Sequence, residues 1–149
     1  MTELEFWQLI AHIDVTALES CREDEAIEPL RAALSMKSEA QLFAFEEALS
    51  QKLYAIDGEE FADHAGDSGG SDDGFLYARC YVVAKGRAFY DAVKSDPTCM
   101  PQSIEQWCEP LLYPHRAAWA AQTGNYQSEW PFVATVSYES GSNTELWHG

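Results

Sequence analysis

Carboxylate side chains are concentrated in the middle of the chain, where no lysine or arginine occurs between Lys52 and Arg79. Clustered carboxylates can bind a hard cation through their oxygens, or they can attract a basic protein by charge. We expect the second use. The residues predicted to contact a basic partner are Asp57, Glu59, Glu60, Asp63 and Asp67, together with a second acidic cluster at Glu23, Asp24 and Glu25.

The segment from Asp63 to Asp73 has an alternative interpretation, in which it holds a metal ion for a small enzyme or a metal-dependent regulator. Its spacing does not fit an EF-hand, because the alternating aspartates and the closing glutamate are absent. The histidines at positions 12, 64, 115 and 148 are scattered, and none has a second ligand at the spacing of metal-binding helices. We therefore predict no metal and no other cofactor.

Two further chemistries, phosphate binding and nucleophilic catalysis, are not favoured. The Gly-Gly-Ser run at positions 69–71 could present backbone amides to a phosphate, but Asp72 and Asp73 follow it and would repel an anion. A helix cap at Ser71 explains the same residues. For nucleophilic catalysis, Cys80 lies on an apolar helical face and no G-x-S-x-G elbow is present. No catalytic residue is predicted.

Arg79 stands on an otherwise apolar helical segment. An arginine in such a place needs a carboxylate partner or must keep its guanidinium in water. We predict an internal ion pair with Asp72, and recognition of an anion by Arg79 and Arg87 is the alternative.

The overall charge limits the classes of partner. The chain has 149 residues with 25 acidic and 9 basic side chains, a formal net charge of −16, which disfavours binding to nucleic acid or to anionic lipid. No basic-then-apolar leader and no apolar run near the roughly 20 residues that span a bilayer is present. The four cysteines have no paired spacing, which indicates reduced thiols and a cytoplasmic protein.

The elements that would position these residues are mainly helical. Ser71 can cap a central helix whose first turn contains Asp72 and Asp73, and Phe75, Leu76 and Cys80 then recur at helical spacing. Capping boxes at Thr2 and Ser38 predict helices over 3–13 and 39–56. Further helices are predicted over 27–36, 87–94 and 103–122, the last one kinked or split by prolines, with a loop over 59–70.

The C-terminal part has a different pattern. Apolar and polar residues alternate over 132–138, which predicts one strand, followed by a Ser-Gly-Ser-Asn turn and a short end at 145–147. The predicted fold is therefore a mainly α, compact single domain over 1–149, with five or six helices. Its helical core covers 1–124, and the C-terminal extension over 125–149 contains a small β strand or hairpin.

The central helix also resembles a known family. Its Ser-Asp-Asp-Gly-Phe run at 71–75, followed by Tyr77, Arg79, Gly86-Arg87 and Tyr90, is similar to the bacterial family called domain of unknown function 4240. Phe6-Trp7 and the Leu-Leu-Tyr run at 111–113 extend the resemblance over residues 1 to about 124. It implies a small, mostly helical bacterial domain, with Ser71, Asp72, Asp73, Phe75 and Arg79 as its structural motif. The family has no assigned chemistry, so it implies no catalytic residues.

These observations predict a non-enzymatic acidic protein that binds a basic protein partner. The most concrete version is an immunity protein that neutralises a bacterial toxin, because a strongly negative field speeds association with cationic enzymes such as nucleases. A homo-oligomeric structural module is a third possibility, which would follow from exposed aromatics such as tryptophans 119, 130 and 147.

Overall fold

The computed structural model describes residues 1–147, and these residues form α-helices and short 3₁₀ turns without a β-strand. The helices in this part of the chain are α1 (Glu3–Ile10), α2 (Val15–Glu19), α3 (Glu23–Leu34), α4 (Glu39–Ala55), α5 (Glu59–Asp63), α6 (Asp72–Ala84), α7 (Arg87–Ser95) and α8 (Pro114–Thr123). The 3₁₀ turns are Gly66–Gly69, Pro97–Cys99, Glu109–Leu112 and Gln127–Glu129. None of these helices has the length and apolar composition that spanning a bilayer requires.

Helix α6 is the centre of the molecule, as the sequence predicts. Every residue from Gly74 to Ala84 is buried except Tyr77, because other elements surround the helix. It packs against α4, α7 and the 3₁₀ turns Gly66–Gly69 and Glu109–Leu112. Helix α8 packs on α3 and α4 at the other side of the molecule. The buried apolar side chains from all these elements form one contiguous core.

Local capping explains where the main helices begin. The Thr2 and Ser38 side chains each accept a hydrogen bond in a capping box, so the predicted starts of α1 and α4 are confirmed. The Ser71 hydroxyl accepts the N–H of Gly74 at 3.0 Å and caps α6. These contacts satisfy amides of the first turn, which have no partner within the helix.

Several predicted elements differ from the structure. The structure has eight helices within residues 1–147 instead of five or six, because α2 and α5 are short and lie in segments without a strong periodic pattern. Helix α3 begins at Glu23, where the acidic run 23–25 can open a helix, and Pro29 lies in its interior instead of its first turn. The predicted helix over 103–112 is wrong apart from its final 3₁₀ turn. There the N–H of Cys108 donates to the carbonyl of Tyr77 in α6. The segment therefore hydrogen-bonds to a neighbouring helix instead of forming a helix of its own.

The predicted C-terminal strand is also wrong, although its alternation is present. Side chains of residues 132–138 alternate between half-buried and exposed positions. The backbone finds no second strand within the described residues. Helix side chains bind it instead: Glu47 accepts the N–H of Thr135 at 2.9 Å, and Arg79 donates to the carbonyl of Tyr138 at 2.9 Å. We call residues 130–147 the C-terminal strap.

Gly74 provides a test of the packing around α6. A Cβ at this position would lie 2.8 Å from the backbone oxygen of Ser68 and 3.0 Å from the Trp107 ring. We expect Gly74→Ala to lower the free energy of unfolding by about 1–3 kcal/mol through overpacking, despite the better helix propensity of alanine. Urea denaturation monitored by circular dichroism measures this change.

Gly70→Ala is the matched control, because a Cβ there would lie 3.4 Å from its nearest neighbour and the backbone is right-handed. We expect its unfolding free energy to stay within about 0.5 kcal/mol of the wild type. Equal stability of the two variants would contradict the close approach at Gly74.

Candidate functional site

Exposed carboxylates cover one part of the surface, and we call them the acidic surface: Glu60, Asp63, Asp67, Asp72 and Asp73. They lie on three consecutive elements, α5, the 3₁₀ turn Gly66–Gly69 and the first turn of α6. The 3₁₀ turn packs against both helices, so the three elements form one continuous layer. Within residues 1–147, none of these carboxylates belongs to an ion pair.

Buried contacts beneath the acidic surface hold its short elements in place. Phe61, Ala65 and Ser68 point inward and are buried. The Ser68 hydroxyl lies 2.6 Å from the carbonyl oxygen of Ala65 and 2.8 Å from that of Pro101. The indole N–H of Trp107 donates to the Ser68 carbonyl at 3.0 Å. The carboxylates therefore project from a backbone that is anchored to the core.

Most cations of the protein form ion pairs outside the acidic surface. Six of the nine lysine and arginine side chains pair with carboxylates outside the acidic surface, among them Arg22 with Glu25 and Arg116 with Glu46. Arg79 is completely buried. Exposed charges without a nearby countercharge produce a field that salt screens over roughly 8–10 Å. The acidic surface is therefore strongly negative.

The structure corrects one residue of the predicted partner-binding set. Asp57 is fully buried, so its carboxylate is not available at the surface. It accepts hydrogen bonds from the N–H groups of Gly141 and Asn143, each at 3.0 Å, and from the indole of Trp147 at 2.9 Å. Glu59 lies beside the acidic surface but is half-buried, and its backbone N–H donates to the Leu146 carbonyl.

The second predicted cluster lies on other elements. Glu23, Asp24 and Glu25 form the first turn of α3, where the helix dipole favours negative charge. Helix α3 packs against α1, α2, α8 and the 3₁₀ turn Glu109–Leu112, whereas α5 packs against Gly66–Gly69 and Pro97–Cys99. The structure therefore places the two clusters on separately supported parts of the surface.

Arg79 does not form the predicted ion pair with Asp72. Its guanidinium donates to the carbonyls of Leu53 and Tyr138, each at 2.9 Å, and to the Ser140 hydroxyl at 3.0 Å. Burial lowers the pKa of Arg79, and the nearby Asp57 charge partly opposes this effect. Because Arg79 is buried, it cannot join the exposed Arg87 in recognising an anion. Asp57 and Arg79 act together as anchors for the C-terminal strap.

A second buried polar cluster joins α4, α8 and the strap. One oxygen of Glu46 accepts hydrogen bonds from His115 and Arg116, each at 2.8 Å, and the other accepts the indole N–H of Trp130 at 2.9 Å. This cluster is not among the sites predicted from the sequence. A signal was present, because Glu46 follows Leu42 by four residues and precedes Leu49 by three, and so falls on the apolar stripe of α4.

The charges in this cluster follow from burial and hydrogen bonding. Burial raises the pKa of Glu46, but hydrogen bonds from His115, Arg116 and Trp130 outweigh it, and the net pKa is lowered. Burial lowers the pKa of His115 below its usual 6.5. Glu46 is therefore ionised at neutral pH, and His115 is neutral with its Nε2 proton directed at Glu46. The Nδ1 atom of His115 has no partner within residues 1–147.

The remaining predicted features are the candidate metal ligands, the cysteines and the tryptophans. Within residues 1–147, no three histidine, cysteine or acidic side chains are arranged to hold a metal ion, and His148 lies outside the described residues. Burial raises the pKa of the Cys108 thiol to about 12 and that of Cys80 well above its usual value, so neither thiol is activated. Trp119 is buried, and Trp130 and Trp147 are half-buried, so the exposed aromatics that a homo-oligomeric module requires are not present at these positions.

Asp57→Asn tests the anchoring of the strap. An amide cannot accept all three hydrogen bonds and brings its own N–H groups towards the backbone donors, so we expect a loss of about 2–4 kcal/mol in unfolding free energy. Hydrogen exchange should become faster for the amides of Gly141 and Asn143. Asp63→Asn is the control at an exposed site and should change stability by less than about 0.5 kcal/mol. The prediction fails if both variants unfold alike.

The buried His115 predicts a pH dependence. Its pKa is lower in the folded state than in the unfolded state, so the unfolded state binds more protons as the pH falls below 6.5. The free energy of unfolding should then decrease with falling pH, by up to about 1.4 kcal/mol per pH unit. Glu46 acts in the same direction only below its usual pKa of 4.5. Urea denaturation between pH 7.5 and 5, values chosen to bracket the usual pKa of about 6.5, measures the slope.

His115→Gln retains a donor to Glu46 but cannot be protonated, so the slope below pH 6.5 should become smaller. His12→Gln removes an exposed histidine and should leave the slope unchanged. If both variants keep the wild-type slope, His115 is not its source.

Comparison with known proteins places the chain in a family. A family model described as "Protein of unknown function (DUF4240)" matches residues 1–134, ten residues beyond the extent predicted from the sequence. No curated protein and no solved structure matches the chain. The matched region includes all eight helices of the described residues and ends within the C-terminal strap. The chain belongs to the DUF4240 family.

Proposed function

We propose that this protein is a non-enzymatic binding protein whose acidic surface engages a basic protein partner. The observation that carries the proposal is a continuous layer of exposed carboxylates without ion pairs within residues 1–147, in a chain whose net charge is −16. A partner with clustered lysines or arginines supplies the countercharges that the protein itself does not place there. Complementary charge of this kind speeds association and selects among partners.

The concrete version of the proposal is an immunity protein that neutralises a bacterial toxin. An enzyme that acts on nucleic acid must present cations to the phosphate backbone. An inhibitor that covers such a substrate site needs carboxylates at the positions of the phosphates. The acidic surface provides carboxylates on a rigid backbone, which keeps the entropy loss on binding small.

The test has two steps. Tagged protein captures partners from a lysate of its native host, and bound proteins are eluted with increasing salt and identified. A basic protein that elutes as salt rises is then purified, and its dissociation constant is measured at several salt concentrations. For the immunity version, expression of that protein alone should arrest growth, and coexpression with this chain should restore it.

Asp63→Asn/Asp67→Asn is the decisive variant. Removing two exposed carboxylates from the acidic surface should weaken binding about two- to thirtyfold, since exposed ion pairs contribute roughly 0.2–1 kcal/mol each. The salt dependence of the dissociation constant should also become weaker. Glu105→Gln/Glu129→Gln removes the same charge from exposed positions elsewhere and should leave both quantities close to the wild type. If the two double variants bind alike, the acidic surface is not the binding site.

A further inference from the structure

A cavity of about 330 Å³, open to solvent on one side, lies between α4 and the C-terminal strap. Glu46 and Ser50, one turn apart on α4, form one wall, and Arg116 of α8 closes one end. The opposite wall is the strap over residues 132–139, most of which lies beyond the region that the family model matches. The volume falls in the lower range of sites that bind small molecules.

Polar groups without protein partners line this cavity. Ser50 is only 2% exposed, and its hydroxyl has no hydrogen-bond partner within residues 1–147. The hydroxyl of the half-buried Tyr138 also has no hydrogen-bond partner within residues 1–147, and the same is true of the backbone N–H groups of Val133 and Val136. The hydroxyls of Ser50 and Tyr138 are therefore free to donate hydrogen bonds to a ligand in the cavity.

Within residues 1–147, Arg116 is the one cation in the lining of the cavity. It balances the charge of the neighbouring Glu46, whose two oxygens accept hydrogen bonds from His115, Arg116 and Trp130. Arg116 uses its Nε and one terminal nitrogen on Glu46, and its side chain is still 28% exposed. The outer edge of the guanidinium therefore remains available to an anion, and the hydroxyls of Ser50 and Tyr138 can donate to the same group.

The rest of the lining limits the kind of anion. Phe132, Ala134 and Val136 supply apolar surface for a hydrocarbon body. Glu139 is an exposed carboxylate at the rim, and together with the net charge of −16 it opposes ligands with several negative charges. We propose that the cavity between α4 and the strap binds a small organic acid, with its single carboxylate on Arg116, Ser50 and Tyr138 and its apolar body on Phe132 and Val136.

Benzoate is a suitable probe, and benzamide is its neutral counterpart of the same shape. Titration of the ¹⁵N-labelled protein, followed by NMR at constant ionic strength, should give a benzoate dissociation constant of roughly 1–10 mM. The shifts should map to Ser50, the Arg116 side chain and residues 132–139. Benzamide should bind about tenfold more weakly, because it cannot form charge-assisted hydrogen bonds.

Two variants test the assignment without removing the contact between Arg116 and Glu46. Ser50→Ala should weaken benzoate binding about three- to tenfold through loss of one hydrogen bond. Glu139→Gln should strengthen binding about twofold, because a like charge at the rim is removed. Glu105→Gln makes the same change in net charge away from the cavity and should have no effect.

The proposal is overturned if benzoate shows no saturable binding, if benzamide binds equally well, or if the shifts map outside the cavity. It is also overturned if Glu139→Gln behaves like Glu105→Gln. The basic-partner function is independent of this cavity, so either proposal can fail without the other.

Discussion

The need to pair buried charges constrains most of this structure. Asp57, Arg79 and Glu46 are buried in a helical core, and an unpaired charge in such a place costs several kcal/mol. Each of them forms hydrogen bonds with the C-terminal strap, and Arg79 and Glu46 also bind groups on the helices. Asp57 accepts three hydrogen bonds from the strap, and Arg79 donates to a backbone carbonyl of the strap. Glu46 accepts a hydrogen bond from the indole N–H of Trp130. The strap is therefore an integral part of the core, although it has no regular secondary structure.

Carboxylates also determine how the tryptophans pack. The indole N–H groups of Trp7, Trp119, Trp130 and Trp147 each donate to an acidic side chain. A buried indole needs a hydrogen-bond acceptor, and carboxylates supply strong ones. Part of the acidic content of the chain is thus used inside the fold. The carboxylates of the acidic surface are different, since they have no such partners within the described residues.

The protein has two candidate sites of different chemistry. The acidic surface lies on short elements held by Ser68 and Trp107, whereas the cavity beside α4 is lined by a guanidinium edge, hydroxyl groups and two carboxylates. Because charge attraction acts over a distance, we propose a large basic partner for the acidic surface. For the cavity we propose a small molecule that is held by directed hydrogen bonds. The C-terminal strap, held by Asp57 and Arg79, connects the acidic surface with the cavity. One end of the strap lies against α5 and α6, and its other end forms a wall of the cavity.

The sequence by itself predicted the helical class, the central helix and the starts of α1, α4 and α6, because apolar periodicity and capping are local properties. It also indicated the acidic segment and the family resemblance. It did not predict that Asp57 is buried, that Arg79 binds carbonyls instead of Asp72, or that residues 132–138 form no strand. Each of these depends on groups that are distant in the chain: Asp57 lies 84 positions from Gly141, and Arg79 lies 59 from Tyr138. Packing of the whole core decides which distant groups come into contact, so no local sequence pattern predicts these contacts.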